Sequence, residues 1–469
     1  MLNVTDGRLL WGAVVGGPLR LTSVASPRRP FQNPARLVPL AFLIAIAVGT
    51  VLLMTPLARI GPEGAPPLTA LFTAVSAVCV TGLIVEDTPN YWSQFGQVVI
   101  LLLFQIGGFG IMTAATLLTM MVNRKFRLRS RLVAQAETKS SSLGEVGGVL
   151  RLVFIVTFVV EAIVALVLIW RFRLGYDHGW GEAVWHGVFQ SVSAFNNAGF
   201  STFSDSLMGF AQDPLVLAPL MVAVVIGGLG FPVLYELRKA PRAPSRWSIH
   251  TKLTVLGSIG LFLVGFIAVA AYEWSNPRTL GALDWPWRLL NAATQSVMTR
   301  TAGFNSLDVG AFQTETLSVS YVLMLIGGGS AGTAGGIKVT TFFLLGFVVW
   351  AEIRGREDAV AFGRRISTGA QRQALSVVLL AASAVGAGIL ILLSATELPL
   401  EDVVFEVISA FATVGLSTGV TADLPPVALI TLCLLMFIGR VGTITVATAL
   451  ALNERTIPYR YPEERPIVG

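Results

Sequence analysis

Four short segments of one pattern carry the residues best placed to do chemistry. They read Val75-Ser-Ala-Val-Cys-Val-Thr-Gly82-Leu83, Val192-Ser-Ala-Phe-Asn-Asn-Ala-Gly199-Phe200, Ser296-Val-Met-Thr-Arg-Thr-Ala-Gly303-Phe304 and Ile408-Ser-Ala-Phe-Ala-Thr-Val-Gly415-Leu416. Val80 and Thr81 precede Gly82, Asn197 and Ala198 precede Gly199, Thr301 and Ala302 precede Gly303, and Thr413 and Val414 precede Gly415. Glycine permits torsions closed to other residues, and a four-part ring of extended backbone can offer carbonyl oxygens that replace the hydration shell of a cation. Apart from Arg300, these segments are uncharged and hold no ring of carboxylates. Selection of an ion there would rest on backbone oxygens.

Other chemistries find less support. His178, His186 and His250 are the three histidines and lack metal-ligand spacing, while Cys79 and Cys433 lie in apolar surroundings and cannot build a disulfide framework. Gly327, Gly329 and Gly332 spell G-x-G-x-x-G, but a dinucleotide fingerprint needs a strand before it, and here an apolar helical run comes first. An intramembrane hydrolase using Ser330 would lack a histidine base at comparable depth. No cofactor is expected in this chain.

The elements that must position the four glycines are apolar. The chain has 469 residues, 54% hydrophobic and 13% charged, with a mean hydropathy of +0.72, about half the charge of a soluble domain. The net charge of +6 is scattered between apolar runs rather than gathered on one basic face, which argues against nucleic acid as a partner. Runs long enough to span a bilayer lie near 37–58, 93–122, 147–170, 214–237, 253–272, 316–351, 373–395 and 426–451. Within each pair lies a shorter apolar stretch, such as Leu68 to Val78 or Ala183 to Phe195, too short to cross. It reads as a re-entrant half-helix ending at a glycine.

The expected fold is therefore all-α and integral to a membrane. It has eight spans in four span, half-helix, span (M1–P–M2) repeats, set in a pseudo-fourfold ring. The domains are an N-terminal arm at 1–36, units at 37–122, 147–238, 250–353 and 372–452, and a tail at 453–469. The glycines are 117, 104 and 112 residues apart. A second landmark follows each one: Gly107-Gly-Phe-Gly, Gly227-Gly-Leu-Gly, Gly327-Gly-Gly-Ser and Gly439-Arg-Val-Gly. The Gly107 and Gly227 clusters read equally well as sites of close helix packing.

Basic residues divide by side. Arg124, Lys125, Arg127, Arg129 and Arg131, then Arg238, Lys239, Arg242 and Arg246, then Arg354, Arg356, Arg364 and Arg365 fill the three connectors between units. The positive-inside rule makes those connectors and both termini cytoplasmic. The opposite side collects acids, among them Glu86, Asp87, Asp177, Glu182, Asp205, Asp284, Asp308, Glu401, Asp402 and Glu406, which would concentrate cations there.

One span is interrupted. Gly327, Gly328, Gly329, Ser330, Gly332, Gly335 and Gly336 with Lys338 break the run 316–351. Such small residues make either a flexible loop lining a cavity or a simple packing kink. Arg440 lies midway along the eighth run, where two other units carry a second glycine. A charge at the bilayer centre costs about 2.5–3.5 kcal/mol on insertion scales, so it should face protein or water. Lys338, near a helix end, can snorkel.

The Val-Thr-Gly-Leu, Asn-Asn-Ala-Gly-Phe, Thr-Ala-Gly-Phe and Thr-Val-Gly-Leu segments resemble the filter turns of the Trk/Ktr/HKT potassium transporters, over about 37–469. The ending Tyr461-Pro-Glu-Glu-Arg-Pro-Ile-Val-Gly469 resembles Ktr membrane subunits, and the additional hairpin of the Trk branch is missing. The resemblance implies potassium uptake across the plasma membrane, with Gly82, Gly199, Gly303 and Gly415 as filter glycines. Some plant relatives carry serine at the first, together with sodium transport, so Gly82 argues for potassium. It further implies that the Gly327–Lys338 loop gates the pore below the filter, in contact with Arg440. A homodimer and a cytosolic ring of nucleotide-binding, RCK-type regulatory subunits follow on the same ground. Sodium as an activator stays open. The rival expectation is a sodium or other secondary transporter with a midplane substrate site, a class that usually shows inverted repeats and buried carboxylates. Here Glu161 is the one acid well inside an apolar run.

Overall fold

The computed structural model describes residues 34–110 and 144–442. The expected N-terminal arm, the first connector, the distal end of the 93–122 run, the end of the 426–451 run and the tail lie outside the described residues. The described chain is helical, with one two-residue β-ladder, β1 (Val360–Ala361) with β2 (Arg364–Arg365), in the last connector.

The first unit comprises α1 (Pro34–Leu53), α2 (Pro67–Val78), the short α3 (Thr88–Tyr91) and α4 (Gln94–Gly110). The second has α5 (Gly144–Gly175), α6 (Trp180–Asn196), α7 (Pro214–Leu229) and α8 (Phe231–Lys239). The third has α9 (Ile249–Glu273), α10 (Trp285–Met298), α11 (Thr314–Leu325) and α12 (Val339–Ile353). The fourth has α13 (Thr368–Ala395), α14 (Leu400–Ala412) and α15 (Pro426–Phe437), which runs on into a π turn at Ile438–Gly442. Local chemistry sets many of the starts. Pro67 and Pro214 open α2 and α7, where the missing N–H costs nothing. Asp213, Ser248 and Ser367 accept from the amides of Leu215, Thr251 and Ala370 to cap α7, α9 and α13.

The half-helices α2, α6, α10 and α14 hold 12, 17, 14 and 13 residues, about 18–26 Å at 1.5 Å per residue. Each packs against the first long helix of its own unit: α2 on α1, α6 on α5, α10 on α9, α14 on α13. Each also meets the later helix of the preceding unit. Phe104 of α4 stands edge-on to Phe189 of α6 at 5.5 Å, and Trp185 Nε1 donates to Gln97 Oε1 at 2.9 Å. Likewise α10 meets α7, α14 meets α11, and α2 meets α15, which returns the chain to its first unit.

Among the described residues, three helical segments are long and apolar enough to cross a bilayer alone: Arg151–Gly175, Ile249–Glu273 and Thr368–Ala395. The run 214–237, long enough to span as expected, is broken rather than continuous. The chain turns by 98° between α7 and α8. Gly230 takes φ +89°, Pro232 sits in the first turn of α8, and the Ser330 carbonyl occupies the space a Gly230 side chain would need. The interruption of 316–351 is present as expected, between α11 and α12.

Candidate functional site

The four half-helices end alike. The residue two before each glycine is left-handed, Val80 at φ +57°, Asn197 at +59°, Thr301 at +75° and Thr413 at +50°, and the glycines follow at +88°, +72°, +75° and +94°. Left-handed valine and threonine are strained and persist where the surroundings hold them. Here the holding bonds are visible. Ser76 Oγ donates to the Leu83 carbonyl at 2.7 Å and accepts from the Gly82 amide at 3.1 Å. Ser409 Oγ does the same for Leu416 and Gly415 at 2.6 and 3.2 Å. Ser193 Oγ donates to the Phe200 carbonyl at 2.7 Å. Unit 3 has Val297 at this position.

The turns close on one another. A Cβ on Gly82 would overlap the Ala198 carbonyl oxygen, one on Gly199 would meet that of Ala302, one on Gly303 that of Val414, and one on Gly415 that of Thr81. The order is cyclic. Glycine is required here by positive φ and by backbone approach at once. All twelve residues expected at the ring, Val80 to Gly82, Asn197 to Gly199, Thr301 to Gly303 and Thr413 to Gly415, come together. The Gly107, Gly227 and Gly439 landmarks serve close packing. A Cβ on each would overlap the carbonyl of Val78, Phe195 or Phe411, four residues before the ring glycine. Gly327, the counterpart in unit 3, abuts the Gly335 carbonyl of its own loop instead.

The loop from Gly327 to Lys338 crosses the side of the ring where the half-helices end. Its neck is tied by Gly327 N to Ile337 O at 2.9 Å, Ile337 N to Leu325 O at 3.1 Å and Val339 N to Gly328 O at 3.1 Å. It touches the left-handed residue of three units. Thr333 Oγ1 donates to Asn197 Oδ1 at 3.0 Å, Gly327 lies against Thr301, and Gly335 lies against the Thr413 hydroxyl. The bend after α7 receives the other edge, with Gly329 N donating to Gly228 O at 2.8 Å and Thr333 N to Gly227 O at 3.1 Å. Ser330 Oγ pairs with Thr340 Oγ1 at 3.0 Å.

Three cations hold the loop's carbonyls. Arg440, 2% exposed on the π turn, donates through Nη1 to Thr333 O. Lys338 Nζ donates to Ala334 O and, at 3.4 Å, to Gly335 O, so it turns inward rather than snorkelling. Arg300 donates from Nη2 to Gly327 O at 2.7 Å. Sequence reasoning passed over Thr333 and the binding role of Arg300. A lone threonine inside a glycine loop, and a charge at a position otherwise held by Cys79, Asn196 and Ala412, were the available signals.

Two acids differ from expectation. Glu406, read as an outward-facing acid, is buried, accepting from Ser417 Oγ, from Thr418 N at 3.2 Å and from Thr421 Oγ1 at 2.8 Å. It braces the backbone after Gly415. Glu161 is buried as expected and accepts from Gln105 Nε2 at 3.3 Å and Asn196 Nδ2 at 3.2 Å.

Residues 41–456 match the TrkH family, described as cation transport proteins. The chain is 38% identical over 437 residues to Ktr system potassium uptake protein B of Bacillus subtilis strain 168, covering 93% of this chain and 97% of that protein. It is 36% identical over 435 residues to the protein of the same description in Vibrio alginolyticus, covering 92% and 94%. Identity to the potassium/sodium uptake protein NtpJ of Enterococcus hirae is 34% over 442 residues, covering 93% and 97%. In fold, the chain is similar to the crystal structure of the potassium transporter TrkH from Vibrio parahaemolyticus, with a TM-score of 0.67 at 16% identity, covering 92% of this chain and 86% of that one. With its ring of glycine turns, the chain belongs to the TrkH family of cation transport proteins and is a membrane transporter rather than an enzyme.

Proposed function

We propose that this chain takes up potassium across the plasma membrane through the ring formed by Thr81–Gly82, Ala198–Gly199, Ala302–Gly303 and Val414–Gly415. One observation carries the reading: each ring glycine abuts the carbonyl oxygen before the next, in cyclic order through all four units. Eight neutral carbonyl dipoles around one axis suit a weakly hydrated monovalent cation, and the half-helices point their negative C-terminal ends at the same place. In this reading the four units are M1–P–M2 repeats with eight crossings and cytoplasmic termini, supported by the basic connectors. The Gly327–Lys338 loop is the gate. Arg440 latches it through its bond to the Thr333 carbonyl. The Ktr names of the relatives support a partner subunit, which we take to be a cytosolic nucleotide-binding ring on a homodimer of this chain.

The experiment is potassium uptake into liposomes holding the purified full-length chain, with sodium as competitor. Uptake that sodium does not suppress supports the reading; no potassium flux, or equal flux of both ions, contradicts it. A second reading, sodium carried or required alongside potassium, rests on the potassium/sodium description of the Enterococcus hirae relative. Potassium flux that vanishes without sodium would favour it.

A further inference from the structure

The third unit departs from the other three beside its turn. Where they carry Cys79, Asn196 and Ala412, it carries Arg300, 4% exposed. Arg300 sits just past the C-terminus of α10, where a cation is favoured by the helix dipole. Its guanidinium makes three contacts on two pieces of the unit, the loop and α9. Nη2 donates to the Gly327 carbonyl, the first of the loop, at 2.7 Å. Nη1 donates to the Ser258 carbonyl of α9 at 3.2 Å. The plane lies over the Phe262 ring, 4.5 Å from its centroid. Thr301, the left-handed residue of the third turn, is next in the chain. That turn is also the one without the serine strap, because Val297 replaces Ser76, Ser193 and Ser409. The turn without a serine strap is thus the one that directly follows a side chain bonded to the loop.

We propose that Arg300 is a positioning residue that couples the loop to the ring: it latches the loop's Gly327 end, as Arg440 latches its Thr333 side, and holds the third turn in register. The inference rests on the gate reading above. Leaving the latch costs Arg300 a charge-assisted bond in a buried site, where it cannot be replaced by bulk water. A narrow cleft between α7, α9 and α10, lined by Val225, Leu229, Ser258, Phe262, Val297 and Arg300, lies beside the guanidinium. A loop pulled from Gly327 would then loosen the third turn, so that opening and ion discrimination are linked through one side chain.

The test uses the full-length chain alone in liposomes, reading potassium leak and the potassium-to-sodium ratio together. Arg300→Gln should raise leak roughly tenfold, the shift expected from losing one charge-assisted hydrogen bond, and should lower the ratio. Adding Val297→Ser supplies the missing strap and should restore the ratio while the leak stays high. A structural role alone would not split the two readouts. Wild-type leak and ratio in Arg300→Gln would overturn the proposal, as would a lowered ratio that Val297→Ser leaves unchanged. Should Arg300→Gln fail to reach the membrane, Arg300→Lys carries the test: it keeps the charge but not the paired carbonyl contact, so raised leak supports the coupling and wild-type gating overturns it. A wild-type chain that carries no potassium would sink the proposed function instead. Wild-type potassium flux with a leaking loop deletion and a silent Arg300→Gln would sink only this inference.

Discussion

Units 1, 2 and 4 hold their glycine turns with a serine from within, whereas unit 3 lacks that strap and bonds the residue before its turn to the loop. In the first group a half-helix serine six residues before the glycine bonds the backbone after it, and a glycine of the later helix packs on the half-helix end. Units 2 and 4 add a second brace, Gln190 Nε2 donating to Ser201 Oγ at 2.7 Å and Ser417 Oγ donating to Glu406. Unit 3 lacks the serine and turns its Gly327 onto its own loop. In exchange it has an arginine on that loop. On the proposed function, three strapped quarters and one loop-linked quarter divide the work: selection would belong to the shared geometry, gating to the departure from it.

The largest effect should come from spoiling the shared geometry. Gly82→Ser adds a Cβ that overlaps the Ala198 carbonyl, 2.9 Å from the Gly199 Cα, at φ +88°. Strain of this kind is about 1–3 kcal/mol, so discrimination between potassium and sodium should fall by roughly ten- to a hundredfold in competition flux. Unchanged sodium exclusion would break the assignment of the ring. Next comes Arg440. A unit charge ~6 Å from the ion path at an effective dielectric of ~20 opposes potassium by about 3 kcal/mol. Arg440→Gln should therefore leak up to about a hundredfold more than wild type when the chain is alone, and Arg440→Lys less. Equal leak in both would show that geometry rather than charge holds the loop. The smallest effect should come from one strap. Ser409→Ala removes bonds to Leu416 and Gly415, worth about 1–2 kcal/mol together, and should lower the selectivity ratio by roughly tenfold with no rise in leak. A leak equal to that of Arg440→Gln would erase the division between strapped and loop-linked quarters.

Much of this was legible because repetition is visible without geometry. Glycine recurring after a short apolar stretch gave the ring and its twelve residues, and the run of small residues at 327–336 gave the break between α11 and α12. The straps were in plain view, since Ser76, Ser193 and Ser409 share one column and Val297 interrupts it, yet a side-chain bond to a backbone six residues on has no sequence signature of its own. The bend at Gly230 was missed because apolar composition continues through it. Only contact with the Ser330 carbonyl shows why the chain must turn there. Glu406 was misread for the opposite reason: its charge suggested solvent, while its partners Ser417 and Thr421 lie eleven and fifteen residues on. Polar partners can bury a carboxylate that composition alone would expose.

The division between ring and loop has one direct measurement. Deleting Ser330 to Thr333 removes the Thr333 contacts with Asn197, Gly227 and Arg440 but leaves Gly327 for Arg300. Potassium and sodium fluxes of this deletion and of Gly82→Ser, each as the full-length chain alone in liposomes, should move in different directions. The deletion should raise potassium flux and keep the wild-type ion ratio, and Gly82→Ser should lower the ratio without a comparable rise in potassium flux. A deletion that reaches the membrane and conducts no faster, or that loses the ratio as fully as the glycine variant does, would contradict the account.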